Sequence, residues 1–570
     1  MTRMPGGGDG RAGTVRVSVV VAVYNPGAEF DELIGSLDRQ TLRARHFEVL
    51  LCDDGSDEPT RQRLARVART RPNVRVLSLE HTGWPGTPRN RGIEAARGDY
   101  VYIVDQDDWL FERALARLCD YADRNGSDVV IGKEVGIGRR IPGQIFRRDI
   151  PHAVLGEDPL LELLTPHKLF RTAFLRDNDI RFPDGRVRLE DHLFVMRAYF
   201  AAKTISILAS EPCYAWVKNR GSASSSRIDP VTYFPHLETV LDLVEANTPP
   251  GALRNTLLRH WYRGKILKRL DGRRVVNYPD DYRERFLDVV IPIARERFGP
   301  GVEAGLPFPL RVRSALLRAG RRDELLRLAE FEAKLGCRAV VTAAQWTPGG
   351  KLKLTLRIRF LRDGQDALVF DPREVRTDAG AGAGEDAGAG DGVDAGAPAE
   401  EGPRVVWRPP ESLGLDVLPE ADRDASRDLW QDRVDLFLRD DEGSERRIRG
   451  RRQRNMARAT VTIDPLESAA VGAASVVGQL VARVRHAGWT FETPLRADPA
   501  ILDGMKPSPL LAGRNCELGV RSDGTVEFRR DGSAGRLRDF VARAARRPRA
   551  LAGKVVPARV RRALSRVRGG

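Results

Sequence analysis

Between residues 15 and 132, short apolar runs alternate with stretches whose apolar residues recur every three or four positions. "VRVSVVVAVYN" and "FEVLLC" are continuous runs of strand length, whereas Phe30, Leu33, Ile34 and Leu37 share one helical face, as do Leu64, Val67 and Ala68. The order continues with a strand "VRVLSL", a helix through "RNRGIEAA", a strand "YVYIV", a helix after Asp108 and a strand "DVVIG". Strands apolar on both faces and separated by helices predict a mainly parallel sheet covered on both sides. Such sheets bind ligands beyond the carboxyl ends of their strands. Each polar cluster of this region falls there: "YNP", "DDGSD", "EHTGWPGTPRNRG" and "DQDD".

The alternation weakens near residue 135, and residues 150 to 235 read as a mixed region containing two helices, the second beginning near Glu190. From 236 to 336 the spacing is helical, as in "LETVLDLVEA" and "LRHWYRGKILKRL". After Cys337 the period changes to two, with strands closed by Gly-Gly and Asp-Gly turns, which predicts antiparallel structure resembling a β-sandwich. The pattern therefore divides the chain into a disordered N-terminus (1–14), an α/β domain (15–235), a helical connector (236–336), a sandwich-like accessory domain (337–534) and a tail (535–570). The acidic, low-complexity segment 378–403 reads as a flexible insertion in the accessory domain.

Charge sharpens the division. The net charge of the 570 residues is +15, yet Arg536 to Arg568 contains twelve Lys/Arg and one acid, so eleven of the excess charges sit in the tail. The body is nearly balanced, which argues against nucleic-acid binding. The tail, in which Phe540, Val541, Leu551, Val555 and Val560 interleave with cations, suits an anionic polymer or an anionic membrane surface, and equally a solvated tail. Five scattered cysteines read as buried thiols of a reducing compartment, and no apolar run is long enough to span a bilayer. Together these lead to the expectation of a cytoplasmic protein, peripheral at most to the inner face of the membrane.

The chemistry concentrates at the strand ends. The first turn has no G-x-G-x-x-G and the chain no G-x-x-x-x-G-K-[ST], which argues against dinucleotide and phosphate-loop sites. What remains is Tyr24 and Asn25, the carboxylates Asp53 and Asp54, Arg89, and Asp105, Asp107 and Asp108 within four positions. A tyrosine ring can pack on a base, an acid can accept its ring N–H and an arginine can pair a phosphate. Three clustered aspartates repel unless a cation neutralises them, and Mg²⁺ or Mn²⁺ binds one or two carboxylates together with phosphate oxygens. Alternatively, Asp108 caps the helix that follows. His152, His167 and His192 are too scattered to suggest a zinc site by spacing.

"VSVVVAVYN", "LLCDDGSD", "PRNRGIEAARGDYVYIVDQDDW" and "RLEDHLFVMRAY", in that order, resemble the family 2 inverting glycosyltransferases of the GT-A fold over residues 15 to 235. The resemblance implies that Tyr24 and Asn25 line the base and ribose of a UDP-sugar, that Asp54 with Asp53 holds the uracil, and that Arg89 lies on the phosphate side. It also implies that Asp105 contacts sugar or ribose, that Asp107 is the metal ligand and that Asp191 is the general base. His81 stands where relatives often carry asparagine. Glu190 is an alternative as a helix-start acid, and Lys168 and Arg227 are weaker candidates for an anionic ligand. The layout is similar to the wall-teichoic-acid glycosyltransferases, whose C-terminal parts bind polymer or build homo-oligomers. The expected acceptor is an anionic cell-envelope glycopolymer or its lipid-linked precursor, and the expected sugar a hexose or N-acetylhexosamine. The competing reading is a non-catalytic polyanion-binding scaffold with a degenerate transferase domain.

Overall fold

A computed structural model describes residues 14–218, 227–348, 350–373, 404–441, 445–453, 455–464, 476–503, 505 and 516–530. The expected insertion 378–403, the basic tail, nearly all of the N-terminal stretch and the side chain of Cys516 lie outside the described part. Two compact units emerge. The first holds the described residues up to Leu270 with Asn277–Leu306 and Leu317–Arg322, and the second holds Asp271–Val276, Pro307–Leu316 and the described residues from Asp323 onward.

The first unit is built on strands β1 (Val17–Val23), β2 (Phe47–Asp53), β3 (Val74–Ser78), β4 (Tyr100–Asp105), β5 (Trp109–Leu110), β6 (Val129–Ile137), β7 (Leu169–Arg171) and β8 (Ile205–Val217). Their order in the sheet is β3-β2-β1-β4-β7-β6-β8-β5. The pairs β2–β3, β1–β2, β1–β4 and β6–β8 are parallel, and β7 and β5 run antiparallel to their neighbours. This is the mixed, mainly parallel sheet that the apolar runs predict. Every residue of β2 is buried, as a strand covered on both faces requires.

Helices α1 (Glu29–Asp38), α2 (Glu58–Thr70), α3 (Gly86–Ala95), α4 (Ala114–Asn125), α5 (Thr172–Asp177) and α6 (Glu190–Ala201) cover the sheet. Phe30, Leu33, Ile34 and Leu37 of α1 join Val19, Val21, Leu51 and Tyr102 in one core cluster. Gly92 lets α3 press onto the sheet, since a Cβ there would come within 2.3 Å of Val20 Cγ1 and 2.9 Å of the Cys52 sulfur. Helices α7 (Pro230–Ala246) and α8 (Ala252–Trp261) follow, and α8 runs into a π-helical turn at Tyr262–Ile266 and a 3-10 turn at Leu267–Leu270. The described part contains no helix long and apolar enough to cross a membrane.

One expectation fails between β4 and α4. Asp108 does not cap a helix: α4 begins at Ala114, preceded by Arg113 at its N-cap. Trp109 and Leu110 are instead a two-residue strand paired with Ala215 and Tyr214 of β8. Extended pairing with β8 wins over helix initiation because it buries Leu110 and satisfies backbone groups beside the sheet.

In the second unit, β9 (Gly336–Trp346) and β10 (Leu352–Arg362) form a long hairpin, and β11 (Gln365–Asp366) folds back through a turn at Asp363 and Gly364. Both turn residues have positive φ, 50° and 82°, the geometry that makes Asp-Gly a two-residue hairpin turn. β12 (Val369–Arg373) pairs with β13 (Arg404–Arg408). The remaining strands are β14 (Arg433–Arg439), β15 (Glu445–Arg452), β16 (Ala459–Ile463), β17 (Val476–His486), β18 (Trp489–Ala497), β19 (Cys516–Val520) and β20 (Val526–Arg530).

Alternate residues of β10, β14 and β17 point into one core, among them Leu354, Leu356, Val434, Leu436, Ala482 and Val484. The strands differ from a purely antiparallel arrangement at one place. β18 pairs antiparallel with β17 through Pro494, then parallel with Ala339–Val341 of β9 from Leu495. A strand that switches partners makes the corner of a packed two-layer β structure, so ten strands form one connected network.

Candidate active site

The strand ends of β1, β2 and β4 are level, with Val23 opposite Asp53 and Ala22 opposite Asp105. The chain therefore delivers Tyr24, Asn25, Asp53, Asp54 and Asp105 to one edge of the sheet, where the apolar pattern put them.

Tyr24 is 45% exposed and stacks on His81, with centroids 4.3 Å apart and rings 26° from parallel. Its backbone is gripped by the residue between Asp105 and Asp107: Gln106 Oε1 accepts the Tyr24 N–H at 2.8 Å and Gln106 Nε2 donates to the Tyr24 carbonyl at 3.2 Å. Asn25, at φ 41°, accepts the Asp57 N–H at 2.9 Å through Oδ1. Asp53 is buried and accepts the Ser56 N–H at 3.0 Å. Asp54 spends both carboxylate oxygens on the loop after β3, accepting from Thr82 N at 2.9 Å, Thr82 Oγ1 at 2.7 Å and Gly83 N at 3.0 Å. His81 reaches the Asp54 carbonyl with Nδ1 at 2.8 Å. His81 is thus tied to two of the sequence-derived residues, which its lone position in "EHTG" does not reveal.

Arg89, expected on the phosphate side, is held between two acids. It is 4% exposed, donates from one terminal nitrogen to Asp191 Oδ1 at 2.9 Å and from the other to Asp105 Oδ1 at 2.8 Å, and lies 5.2 Å from the Phe182 ring centre. Burial opposes its charge, but Asp105, Asp191 and Glu190 outweigh burial and raise its pKa further above the arginine range. Next to it Asn90 pins the approach to α6, exchanging two 2.9 Å hydrogen bonds with the Phe182 backbone. Phe182 in turn stacks on Phe194 of α6 at 3.9 Å.

Asp105 accepts from Arg89 with one oxygen and lies 3.0 Å from His167 Nε2 with the other. Burial works to raise its pKa, and His167 and Arg89 overcome it, holding the carboxyl well below its usual range. His167 is 2% exposed, lies flat on Tyr214 at 4.2 Å and faces Glu134, whose Oε1 is 3.6 Å from Nδ1. Burial disfavours the imidazolium, but Asp105 and Glu134 prevail and push its pKa up to about 10.

Asp108 is 2% exposed, accepting the Tyr214 hydroxyl at 2.6 Å and the Val217 N–H at 2.7 Å. Burial first and Asp105 second push it up to about 7, against His167, Tyr214 and the Val217 N–H. Asp107 sits half-buried in the turn between these two acids.

Asp191 lies in the first turn of α6, next to Glu190, which opens the helix. The residue before them, Leu189, has φ 63°. A left-handed backbone at a non-glycine residue costs of order 1–2 kcal/mol, and here it sets the entry of the chain into α6. Asp191 keeps 30% of its side chain exposed. Burial raises its pKa, with Asp105 adding and Arg89 opposing, while burial and the charge of Asp191 push Glu190 up to about 7.

Of the weaker candidates, Lys168 is fully buried, donates to the Thr165 carbonyl and is pushed down to about 8 by burial, against Glu134 and Asp191. Arg227 lies over the Tyr282 ring at 5.3 Å. His192 accepts from Trp261 Nε1 at 3.1 Å and is driven toward the neutral form by burial. Lys265, in the π-helical turn, is pushed down to about 8 by burial and Arg269, with Asp191 opposing. The sequence pattern singled out neither His167 nor Lys265 for this site, because β7 and the π turn bring them in from outside the parallel strands.

Asp105, Asp108 and His167 each place one donor atom within 4.8 Å of the others, and they are the group suited to a metal ion among the described residues. Carboxylates and an imidazole at a sheet edge fit a divalent cation completed by ligand phosphates, Mn²⁺ better than Mg²⁺ where a nitrogen takes part.

Residues 18–178 match the glycosyl transferase family 2 domain, and residues 230–329 match the glycosyl transferase TarS linker domain. The poly(ribitol-phosphate) beta-N-acetylglucosaminyltransferase TarS of Staphylococcus aureus is 35% identical over 223 residues, 39% of this chain and 39% of that protein. The poly(ribitol-phosphate) beta-glucosyltransferase of Bacillus spizizenii is 33% identical over 236 residues, 41% of this chain and 37% of that protein. The matched stretch therefore spans about two-fifths of these curated relatives. The crystal structure of S. aureus TarS 1-349 in complex with UDP-GlcNAc aligns with a TM-score of 0.51 at 25% identity, covering 62% of this chain and 98% of that one. The crystal structure of S. aureus TarS, at 18% identity and a TM-score of 0.52, covers 92% of this chain and 86% of that one and shares the fold.

Proposed function

We propose that this chain, which carries a family 2 glycosyltransferase domain at residues 18–178, transfers a hexose or N-acetylhexosamine from a UDP-sugar to a hydroxyl of an anionic polyol-phosphate polymer of the cell envelope, with inversion. The observation that carries the reading is one buried guanidinium, Arg89, bonded at once to Asp191 and to Asp105. It fixes a proton acceptor relative to the acids of the D-x-D turn. The relatives' names support a polyol-phosphate acceptor, and they leave both glucose and N-acetylglucosamine open as the sugar.

In this mechanism Asp191 accepts the proton of the attacking acceptor hydroxyl, a role worth roughly 10²–10⁴ in rate. Its partial exposure gives the hydroxyl access, and its raised pKa strengthens it as a base. Arg89 holds Asp191 in place and favours its ionised form, a positioning role on the phosphate side of the site. Tyr24 offers an exposed ring to the base, backed by His81, and Asn25 lies beside it toward the ribose. Asp53 and Asp54 shape the uracil end, Asp54 through the loop it anchors. Asp105, Asp107 and Asp108 would hold a divalent cation, with His167 able to join them only on giving up its proton, and with Asp105 also facing the donor sugar. When bound, such a cation supplies charge neutralisation for the departing diphosphate. The reaction takes place in the cytoplasm.

The test is transfer from UDP-GlcNAc and UDP-glucose to poly(ribitol phosphate) with Mn²⁺. Product with one donor, lost on chelation, is the expected result. Absence of product with both donors across polyol-phosphate acceptors would refute the assignment.

A further inference from the structure

His192 follows Asp191 in the first turn of α6 and is half-buried. Its partner is Trp261, the last residue of α8 and wholly buried, whose Nε1 donates to His192 Nδ1 at 3.1 Å. The two rings lie 6.2 Å apart and 56° from parallel, and His260 meets the indole at 5.1 Å and 82°. All of these residues belong to the first unit.

The bond to Trp261 decides where the proton of His192 sits. An indole nitrogen can only donate, so Nδ1 must accept, and an imidazole that accepts at Nδ1 carries its single proton on Nε2. An imidazolium would set two N–H groups against each other. The surroundings act in the same direction: burial first, then Lys265, His260 and Lys168, drive His192 well toward the neutral form. His260 is itself pushed down to about 3 by burial, Arg263, Lys265 and Lys268. His192 is therefore a fixed, uncharged N–H donor. Its Nε2 has no protein partner among the described residues.

That donor stands beside the proposed base. Lys168 and Lys265, which act on His192, act also on Asp191, so the imidazole and the carboxylate face the same two cations. Lys265 belongs to the π-helical turn that begins directly after Trp261, and such turns are rare and recur at functional sites. With Nδ1 occupied, the ring has no basic nitrogen left to compete with Asp191 for a proton. It can hold an oxygen of the acceptor and leave the proton transfer to the carboxylate.

We propose that His192 is an acceptor-binding residue: its Nε2–H, oriented by Trp261, donates a hydrogen bond to an oxygen of the acceptor next to the hydroxyl that Asp191 deprotonates. The inference rests on the transfer reaction proposed above. It gives α8 a part in catalysis from 69 positions away, with Trp261 as the positioning residue.

The test uses the full chain and compares wild type with His192→Ala, His192→Gln and Trp261→Phe. His192→Ala is expected to lower kcat/KM for poly(ribitol phosphate) about tenfold, the effect of one lost hydrogen bond, while UDP affinity stays within twofold. His192→Gln keeps an N–H donor and should recover part of that loss. Histidine-selective nitrogen NMR should show His192 of the wild type protonated on Nε2 alone from mildly acidic to mildly alkaline pH, and a mixture of tautomers in Trp261→Phe. Polymer kcat/KM within twofold of wild type in His192→Ala would overturn the proposal, as would a glutamine variant no better than alanine. An Nδ1–H or a charged ring in the wild type would overturn it as well, as would an equal loss of UDP affinity in His192→Ala, since His192 would then only support α6. Absence of transfer by the wild type is a separate result, which removes the proposed activity and this inference with it.

Discussion

Arg89 donates to Asp191 and to Asp105 through different nitrogens, so its removal acts on both acids at once. The proposed base must be ionised to work, and its pKa is raised by burial and lowered by Arg89. The transfer rate should therefore rise with pH through a limb above the ordinary carboxylate range. Arg89→Met removes the lowering influence, so the limb should move to higher pH, read from kcat against pH. Arg89→Lys keeps a charge but not the two-pronged geometry and should restore the limb better than the rate. His167 gives a stability signature of opposite use. Its folded pKa of about 10 lies above its unfolded value of 6.5, so its contribution is complete below about 6.5 and is lost as pH rises through about 10. His167→Gln should flatten that alkaline fall in the melting temperature. Asp53, Asp54 and Asp105 were legible in the sequence because each follows a strand of continuous apolar residues, whereas Asp191, in the first turn of α6, was reached only through the resemblance of "RLEDHLFVMRAY". The role of Arg89 was not legible, because its partners lie 16 and 102 positions away.

At the scale of elements, α3 carries Arg89 and Asn90, and its seat on the sheet depends on Gly92. Gly92→Ala would drive a methyl group against Val20 and Cys52, and overpacking of this kind typically costs about 1–3 kcal/mol. The expected outcome is a lower melting temperature together with lost activity, since the clash lies one helical turn from the Arg89 bridge. Elements with a strong period were readable: α1, α2 and the strands β1 to β4 occur where apolar spacing puts them. The stretch after Asp108 was not, because a two-residue strand has no period and its stability comes from β8, more than a hundred residues later. The turn between β17 and β18 escaped for a similar reason: Ala487 and Gly488 adopt φ 46° and 85°, and Ala-Gly is a weak turn signal beside Asp-Gly.

At the scale of the whole molecule, period-three and period-two spacing separated helical from β regions along the chain, while the composition of the two units could not be read from it. Asp271–Val276 and Pro307–Leu316 belong with the β-rich unit although their sequence is helical, because packing rather than local propensity assigns them. The corner made by β18 is likewise invisible locally, since one strand simply continues while its partner changes. The central claim, that Asp191 is the base of a metal-assisted sugar transfer, is tested most directly by comparing wild type with Asp191→Asn. Both are assayed for transfer from UDP-GlcNAc or UDP-glucose to poly(ribitol phosphate) with Mn²⁺, alongside UDP binding. The account predicts that transfer falls by about 10²–10⁴ while UDP affinity stays within a few-fold. Transfer by the variant at the wild-type rate would contradict it.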